Sequence, residues 1–94
     1  MYKVLITDPI SQNGINILTE LDIEVIVLPN SSDEELYQIL PEIHGWIVRS
    51  GTTITSDYIQ KASNLQIIGR AGVGVDNIDL DESTNHGIIV MNMP

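Results

Sequence analysis

Two arginines stand in comparable surroundings, Arg49 in Val48-Arg49-Ser50-Gly51-Thr52 and Arg70 in Gly69-Arg70-Ala71-Gly72-Val73-Gly74. A planar guanidinium presents paired N–H donors that match a carboxylate or a phosphate. Each arginine is followed by small residues, Ser50-Gly51 and Ala71-Gly72, which let backbone N–H groups come close to an anion and form a nest. The other two cations, Lys3 and Lys61, lie elsewhere: Lys3 precedes the first apolar run and Lys61 falls on a helical stretch facing solvent. Recognition of a small anion fits this pattern, and so does ordinary pairing of both arginines with the many acids nearby. Residue types alone leave the two open.

Other chemistries are weaker. Gly72-Val73-Gly74-Val75-Asp76-Asn77 resembles a dinucleotide fingerprint, but Asn77 replaces the last glycine and no helical pattern begins directly after it. A tight turn is expected instead, with Asp76 and Asn77 bonding to its backbone. Asp8 ends the first apolar run, where a phosphoacceptor aspartate would sit. Arg49 and Asn92 stand where that chemistry needs an acid and a lysine. Ser31 and Ser50 lack a histidine base at the same edge. His44 and His86 each precede a glycine at an expected helix end, which suits dipole capping better than metal binding. Trp46 and Tyr58 are expected to be packing residues.

These loops need strands to hold them. Short apolar runs rich in Ile and Val occur at Val4–Ile6, Ile23–Leu28, Trp46–Val48, Leu65–Ile68 and Ile88–Met91, with centres 20–22 residues apart. Continuous apolarity suits strands buried on both faces of a parallel sheet. The segments between carry helix signals. Ser32 and Glu35 form a capping box ahead of Leu36, Ile39, Leu40 and Ile43, with Pro41 expected to kink or loosen that helix. Ser11 opens a first helix with Ile15, Leu18 and Leu21 inward. Thr55 or Ser56 opens a third, with Ile59 and Ala62 inward, and Asp79 with Glu82 opens a fourth. Gly45, Asn64 and Gly87 suit left-handed helix ends. The pattern βαβαβαβαβ predicts an α/β domain with a five-stranded parallel sheet and helices on both faces. Of the two common strand orders, 2-1-3-4-5 is favoured over a Rossmann half because five strands complete it. Ligands of such sheets bind beyond the carboxyl ends of the strands. The loops after Ile6, Leu28, Val48, Ile68 and Met91 are therefore the places for chemistry.

Composition narrows the class. The chain has 94 residues, a formal net charge of −9, thirteen acids against four Lys plus Arg, 43% hydrophobic residues and no cysteine. That is one compact domain, too apolar for a solvated acidic tail. The acidity argues against nucleic-acid partners. Without cysteine, disulfides and thiolate metal sites are impossible, and a reducing, cytoplasmic setting is expected. No apolar run approaches the roughly 18 residues of a membrane span, and none resembles a signal-peptide core.

The strand-end motifs Val48–Thr52, Gly69–Asp79 and Val90–Pro94, taken together, resemble the NAD-dependent D-2-hydroxyacid dehydrogenases, in particular the branch that oxidises 3-phosphoglycerate. The resemblance runs along the whole chain. It implies a three-layer α/β/α flavodoxin-like substrate domain, of which residues 1–94 would be the N-terminal segment. The cofactor domain, the C-terminal return segment and the catalytic Arg, Glu and His of the family would lie outside these residues, leaving no catalytic residue within them. By matching position, Arg49, Ser50, Gly51, Arg70, Val73 and Gly74 would contact an anionic substrate, a phosphorylated 2-hydroxy acid. Two positions depart from common family residues: Val73 and Met93 replace threonines, and the first exchange removes a side-chain contact to NAD.

The resemblance further implies that NAD serves the intact enzyme and does not bind this segment tightly. Hydride would pass between NAD and C2 of 3-phosphoglycerate, yielding 3-phosphohydroxypyruvate for serine synthesis. This segment alone would be inactive. The expected partners are the small anion and the cofactor domain, with no nucleic acid and no membrane. An apolar patch left open by the missing parts would favour self-association. Another 2-hydroxyacid branch, and a stand-alone anion-binding or association module, are the alternative readings.

Overall fold

The computed structural model describes residues 2–72, 74 and 76–93. The strands are β1 (Lys3–Ile6), β2 (Glu24–Val27), β3 (Gly45–Val48), β4 (Ile67–Ala71) and β5 (Ile89–Met93). The helices are α1 (Gln12–Glu20), α2 (Asp33–Ile39), α3 (Ser56–Lys61) and α4 (Leu80–Asn85), and they alternate with the strands. All strand pairs are parallel and the order is β2-β1-β3-β4-β5, as the sequence predicts. Among the described residues no helix is long and apolar enough to cross a membrane.

The capping residues act as expected. Ser11, Ser32, Thr55 and Asp79 accept from the N–H groups of Gly14, Glu35, Tyr58 and Glu82, and Ser32 with Glu35 completes the capping box. α2 stops at Ile39, and Leu40–Glu42, with Pro41 at its centre, tightens into a single 3-10 turn. Of the three expected left-handed ends only Gly87 is one, with φ of 70°. Gly45 begins β3 instead, because it pairs with both Val4 and Ile67. Asn64 turns its side-chain amide to the Pro41 carbonyl. Asp22 and Asn30 hold the left-handed positions instead.

The two sheet faces differ. One packs against α2, α3 and α4, and its core contains Leu5, Trp46, Val48 and Ile68 from the strands with Leu36, Leu40, Ile54 and Ile59 from the other side. The opposite face carries only α1, none of whose residues is buried. Ile17 and Leu21 stay exposed there, which corrects the expectation that Leu21 points inward, as do Ile67, Ile89 and Met91 of β4 and β5. The sheet outnumbers its cover on that side, so apolar strand residues reach solvent.

β4 and β5 run further than their apolar runs suggest. Register pairing continues through Arg70↔Asn92 and Ala71↔Met93, so Arg70 lies inside a strand rather than in the loop after it. Arg70 also pairs with Val48 of β3 and shares its side of the sheet.

Tyr58 joins α3 to the start of α2 by donating its hydroxyl to Asp33, and its ring packs near Trp46 and Tyr37. That hydrogen bond, with partial burial behind it, pushes the phenol up to about 12 from its ordinary 10.0. The neutral phenol is the stabilising form. Its contribution is complete below pH 10, the unfolded value, and is lost as pH rises through the folded value near 12. In a phenolate absorbance titration, one of the three tyrosines should ionise well above the others, and Asp33→Asn should bring it down. If all three ionise together in the wild type, the Tyr58–Asp33 bond is not formed in solution.

Candidate anion-binding edge

The carboxyl ends of β1 and β3 carry a buried polar network. Trp46 is fully buried, and its indole N–H donates to Thr7 Oγ1 at 3.0 Å. Thr7 Oγ1 lies 2.8 Å from Thr52 Oγ1, which in turn lies 2.9 Å from Asp8 Oδ1. A carboxylate only accepts, so the single Thr52 hydroxyl proton points to Asp8 and Thr7 donates to Thr52. Asp8 Oδ2 accepts two backbone N–H groups, from Arg49 at 2.7 Å and Thr52 at 3.0 Å. The loop after β3 is thus drawn onto a carboxylate at the end of β1. Gly51 passes so close that a Cβ there would stand 2.7 Å from Asp8 Oδ1, which explains the glycine without any need for unusual backbone angles.

The same loop is sewn to the one after β4. Ile54 and Ile78 form a parallel bridge, with the Ile54 N–H on the Asn77 carbonyl at 2.9 Å and the Asp79 N–H on the Ile54 carbonyl at 3.0 Å. Asn77 Nδ2 donates to the carbonyls of Arg49 and Thr52, at 2.7 and 2.6 Å. The amide therefore serves the neighbouring loop, which corrects the expectation that Asn77 would stabilise its own turn. For Asp76 no side-chain hydrogen bond is found among the described residues.

Both arginines lie at this edge, on opposite sides of the sheet. Arg49 is exposed, reaches the Pro9 carbonyl at 3.4 Å, and borders an apolar cleft of about 320 Å³ between α1 and β3. Arg70 is 8% exposed and lies level with Val48, on the side of α2–α4. Its Nη1 donates to the Gly74 carbonyl at 3.0 Å, so the glycine turn curls back over its own strand. Gly72 and Gly74 have φ of 141° and 90°, and the latter permits that reversal. Ser50 and Gly51 are exposed at the crest of their loop. Val73, also expected at the site, lies outside the described residues. A second cleft of about 340 Å³ opens beside Gly51, between the loop and α2 and α3, with Thr7, Asp8, Ser31, Thr52, Thr55 and Tyr58 in its wall.

The histidines serve elsewhere. His44 Nδ1 accepts the Lys3 N–H at 3.0 Å, and His86 Nε2 stands 3.5 Å from Glu82 at the end of α4. Glu82 is held below the usual carboxylate range, mainly by the hydroxyl of Ser56, then by the amide of Gln60.

The glycine turn after β4 does not have the strand–turn–helix form of a dinucleotide-binding fingerprint. The glycine turn leads into the Ile54–Ile78 bridge rather than into a helix. The helix that follows is capped by the carboxylate of Asp79, where a pyrophosphate would need free N–H donors. The edge brings together one exposed guanidinium, one guanidinium held in the glycine turn, and a loop crest anchored from below.

Residues 4–94 match the family described as D-isomer specific 2-hydroxyacid dehydrogenase, catalytic domain. D-3-phosphoglycerate dehydrogenase of Methanocaldococcus jannaschii is 49% identical over 94 residues, covering all of this chain and 18% of that protein. The enzymes of the same name from Bacillus subtilis and Homo sapiens are 46% and 47% identical, again over all of this chain and 18% of theirs. The chain therefore spans less than a fifth of the length of these relatives. Among solved structures, the NAD+-bound 3-phosphoglycerate dehydrogenase of Entamoeba histolytica superposes with a TM-score of 0.87 at 30% identity, over 99% of this chain and 33% of that one. A protein of Pyrococcus horikoshii gives a TM-score of 0.91 at 30% identity, over 99% of this chain and 28% of that one. With its sheet order, its strand-end loops and nearly its whole length accounted for, the chain belongs to the D-isomer specific 2-hydroxyacid dehydrogenases.

Proposed function

We propose that residues 1–94 form the N-terminal segment of the substrate-binding domain of an NAD-dependent dehydrogenase acting on 3-phosphoglycerate. The observation that carries this reading is the exposed Arg49 beside the Ser50-Gly51 crest, at the carboxyl edge that also holds Arg70. The names of its relatives point to the same substrate. Bound NAD supplies the hydride acceptor at C2 of the hydroxy acid, and the rest of the intact enzyme holds it. This segment orients and neutralises the anion. Arg49 approaches the anion from the α1 side, and Ser50 and Gly51 offer backbone donors. Arg70 and Gly74 approach it from the glycine turn, and Val73 joins them by its position in the sequence alone. No catalytic residue is assigned here, so these residues alone should not turn over phosphohydroxypyruvate with NADH. A cytoplasmic setting suits both the substrate and the absence of cysteine.

Charged hydrogen bonds contribute about 1.5–3 kcal/mol each, and ordering costs reduce their sum. Two arginines then give millimolar or weaker affinity, since a millimolar Kd corresponds to about 4 kcal/mol. In an NMR titration of the 94-residue chain with 3-phosphoglycerate, amides of residues 49–52 and 70–74 should shift first. Shifts confined to the helix surfaces would place the anion elsewhere.

The choice among 2-hydroxy acids is tested in the intact dehydrogenase. Arg49→Ala should raise KM for phosphohydroxypyruvate on the order of tenfold or more, the loss of one charged hydrogen bond. An unphosphorylated 2-keto acid should be much less affected. Equal effects on both substrates would assign Arg49 to the carboxylate and remove the preference for a phosphorylated substrate.

A further inference from the structure

The arc Arg49–Thr52 is held at both ends by side chains that lie outside it. Asp8 takes the N–H groups of Arg49 and Thr52 together with the Thr52 hydroxyl, and Asn77 takes the carbonyls of the same two residues. Both peptide polar groups of residues 49 and 52 are thereby used, and, among the described residues, neither of those at 50 and 51. Among the described residues, the N–H groups of Ser50 and Gly51 have no hydrogen-bond acceptor, and both residues are exposed. The loop is closed at its ends and open at its crest.

The two clamping residues have opposite chemistry, and each matches its targets. Three donors converge on Asp8, which as a carboxylate only accepts. Two carbonyls converge on Asn77 Nδ2, which only donates and has one proton for each. The amide orientation is fixed by this, because the reverse would set its oxygen against two carbonyl oxygens. Asn77→Asp keeps the volume and sets an acceptor against the two carbonyls, while Asp8→Asn keeps the volume and removes one of the two acceptor oxygens that the three donors share.

We propose that Asp8 and Asn77 are positioning residues for anion recognition. Together they set the arc so that the unpaired N–H groups of Ser50 and Gly51 and the guanidinium of Arg49 serve one ligand. This rests on the reading of the edge as the seat of the substrate anion. Neither residue touches the anion. Each acts by holding donors in place before the anion arrives, which removes an ordering cost from binding.

The test compares Asp8→Asn, Asn77→Asp and Arg49→Ala in the intact dehydrogenase, with KM for phosphohydroxypyruvate, KM for NADH, kcat and the thermal midpoint measured for each. Asp8→Asn and Asn77→Asp should each raise KM for phosphohydroxypyruvate on the order of tenfold. KM for NADH should stay near the wild-type value, and kcat should change less than KM. A merely structural role would lower kcat through loss of active molecules and leave KM unchanged, which would overturn the proposal. If Arg49→Ala raises KM while neither clamp variant does, the clamp is refuted and the site reading stands. If none of the three raises KM, both fall together. Should a variant fail to fold, amide exchange in the unsubstituted enzyme decides. The amides of Arg49 and Thr52 should exchange slowly, and those of Ser50 and Gly51 rapidly until 3-phosphoglycerate is added. Four equal rates, indifferent to the ligand, would overturn the proposal.

Discussion

Asp8 is buried, and a buried carboxylate must be surrounded by donors or it destabilises the fold. The donors here come from one short stretch after β3, the N–H groups of Arg49 and Thr52 and the Thr52 hydroxyl. To deliver all three, that stretch must curl over the end of β1, and the curl brings position 51 so close that a Cβ there would stand 2.7 Å from Asp8 Oδ1. The demand passes down into the core as well. Once Thr52 donates to Asp8, Thr7 must donate to Thr52, and the indole of Trp46 supplies the donor that Thr7 then accepts. A single buried charge thus orders a loop, two hydroxyl groups and the polar end of the largest core side chain.

The rest of the fold holds this network rigid. β1 and β3 are neighbours in the sheet, so Thr7 and Asp8 emerge beside the loop that needs them. β3 and β4 are also neighbours, and that places Asn77 within reach of the same loop from its other side. The parallel arrangement sends all of these loops to one edge, the usual place for ligands in open α/β sheets. The face carrying α2, α3 and α4 is close-packed beneath it. The opposite face, covered by α1 alone, contributes the wall behind Arg49.

Much of this is legible in the sequence. The evenly spaced Ile- and Val-rich runs give five parallel strands, and short local patterns such as Ser32 with Glu35 give the helix starts, because both depend on residues close in the chain. What depends on distant pairing is not legible. β4 extends through Arg70 because Val48 and Asn92 pair with it on either side, and nothing near Arg70 in sequence shows that. Asn77 has the look of a residue that closes its own turn. Its amide instead finds two carbonyls that lie 28 and 25 positions away. Asp8 can be weighed from sequence only for phosphoacceptor chemistry, since the three donors that define its role belong to a loop more than forty residues on. Gly45 and Asn64 suit helix ends by residue type, but strand pairing and a side-chain bond claim them first.

The proposed anion site stands at odds with the net charge of −9 carried by the chain. Range resolves the conflict. At physiological salt the Debye length is about 8 Å, so acids spread over the exposed helices are largely screened from the edge. Asp8 is not screened, being buried directly beneath the loop. At an effective dielectric of 20, opposite unit charges about 4 Å apart attract by about 4 kcal/mol, and like charges at twice that distance repel by about half as much. A guanidinium in contact therefore outweighs a carboxylate one layer down. The three donors on Asp8 reduce its reach further, because their positive ends point at it. The acid that orders the loop is tolerable beneath an anion only because its charge is spent on the loop itself.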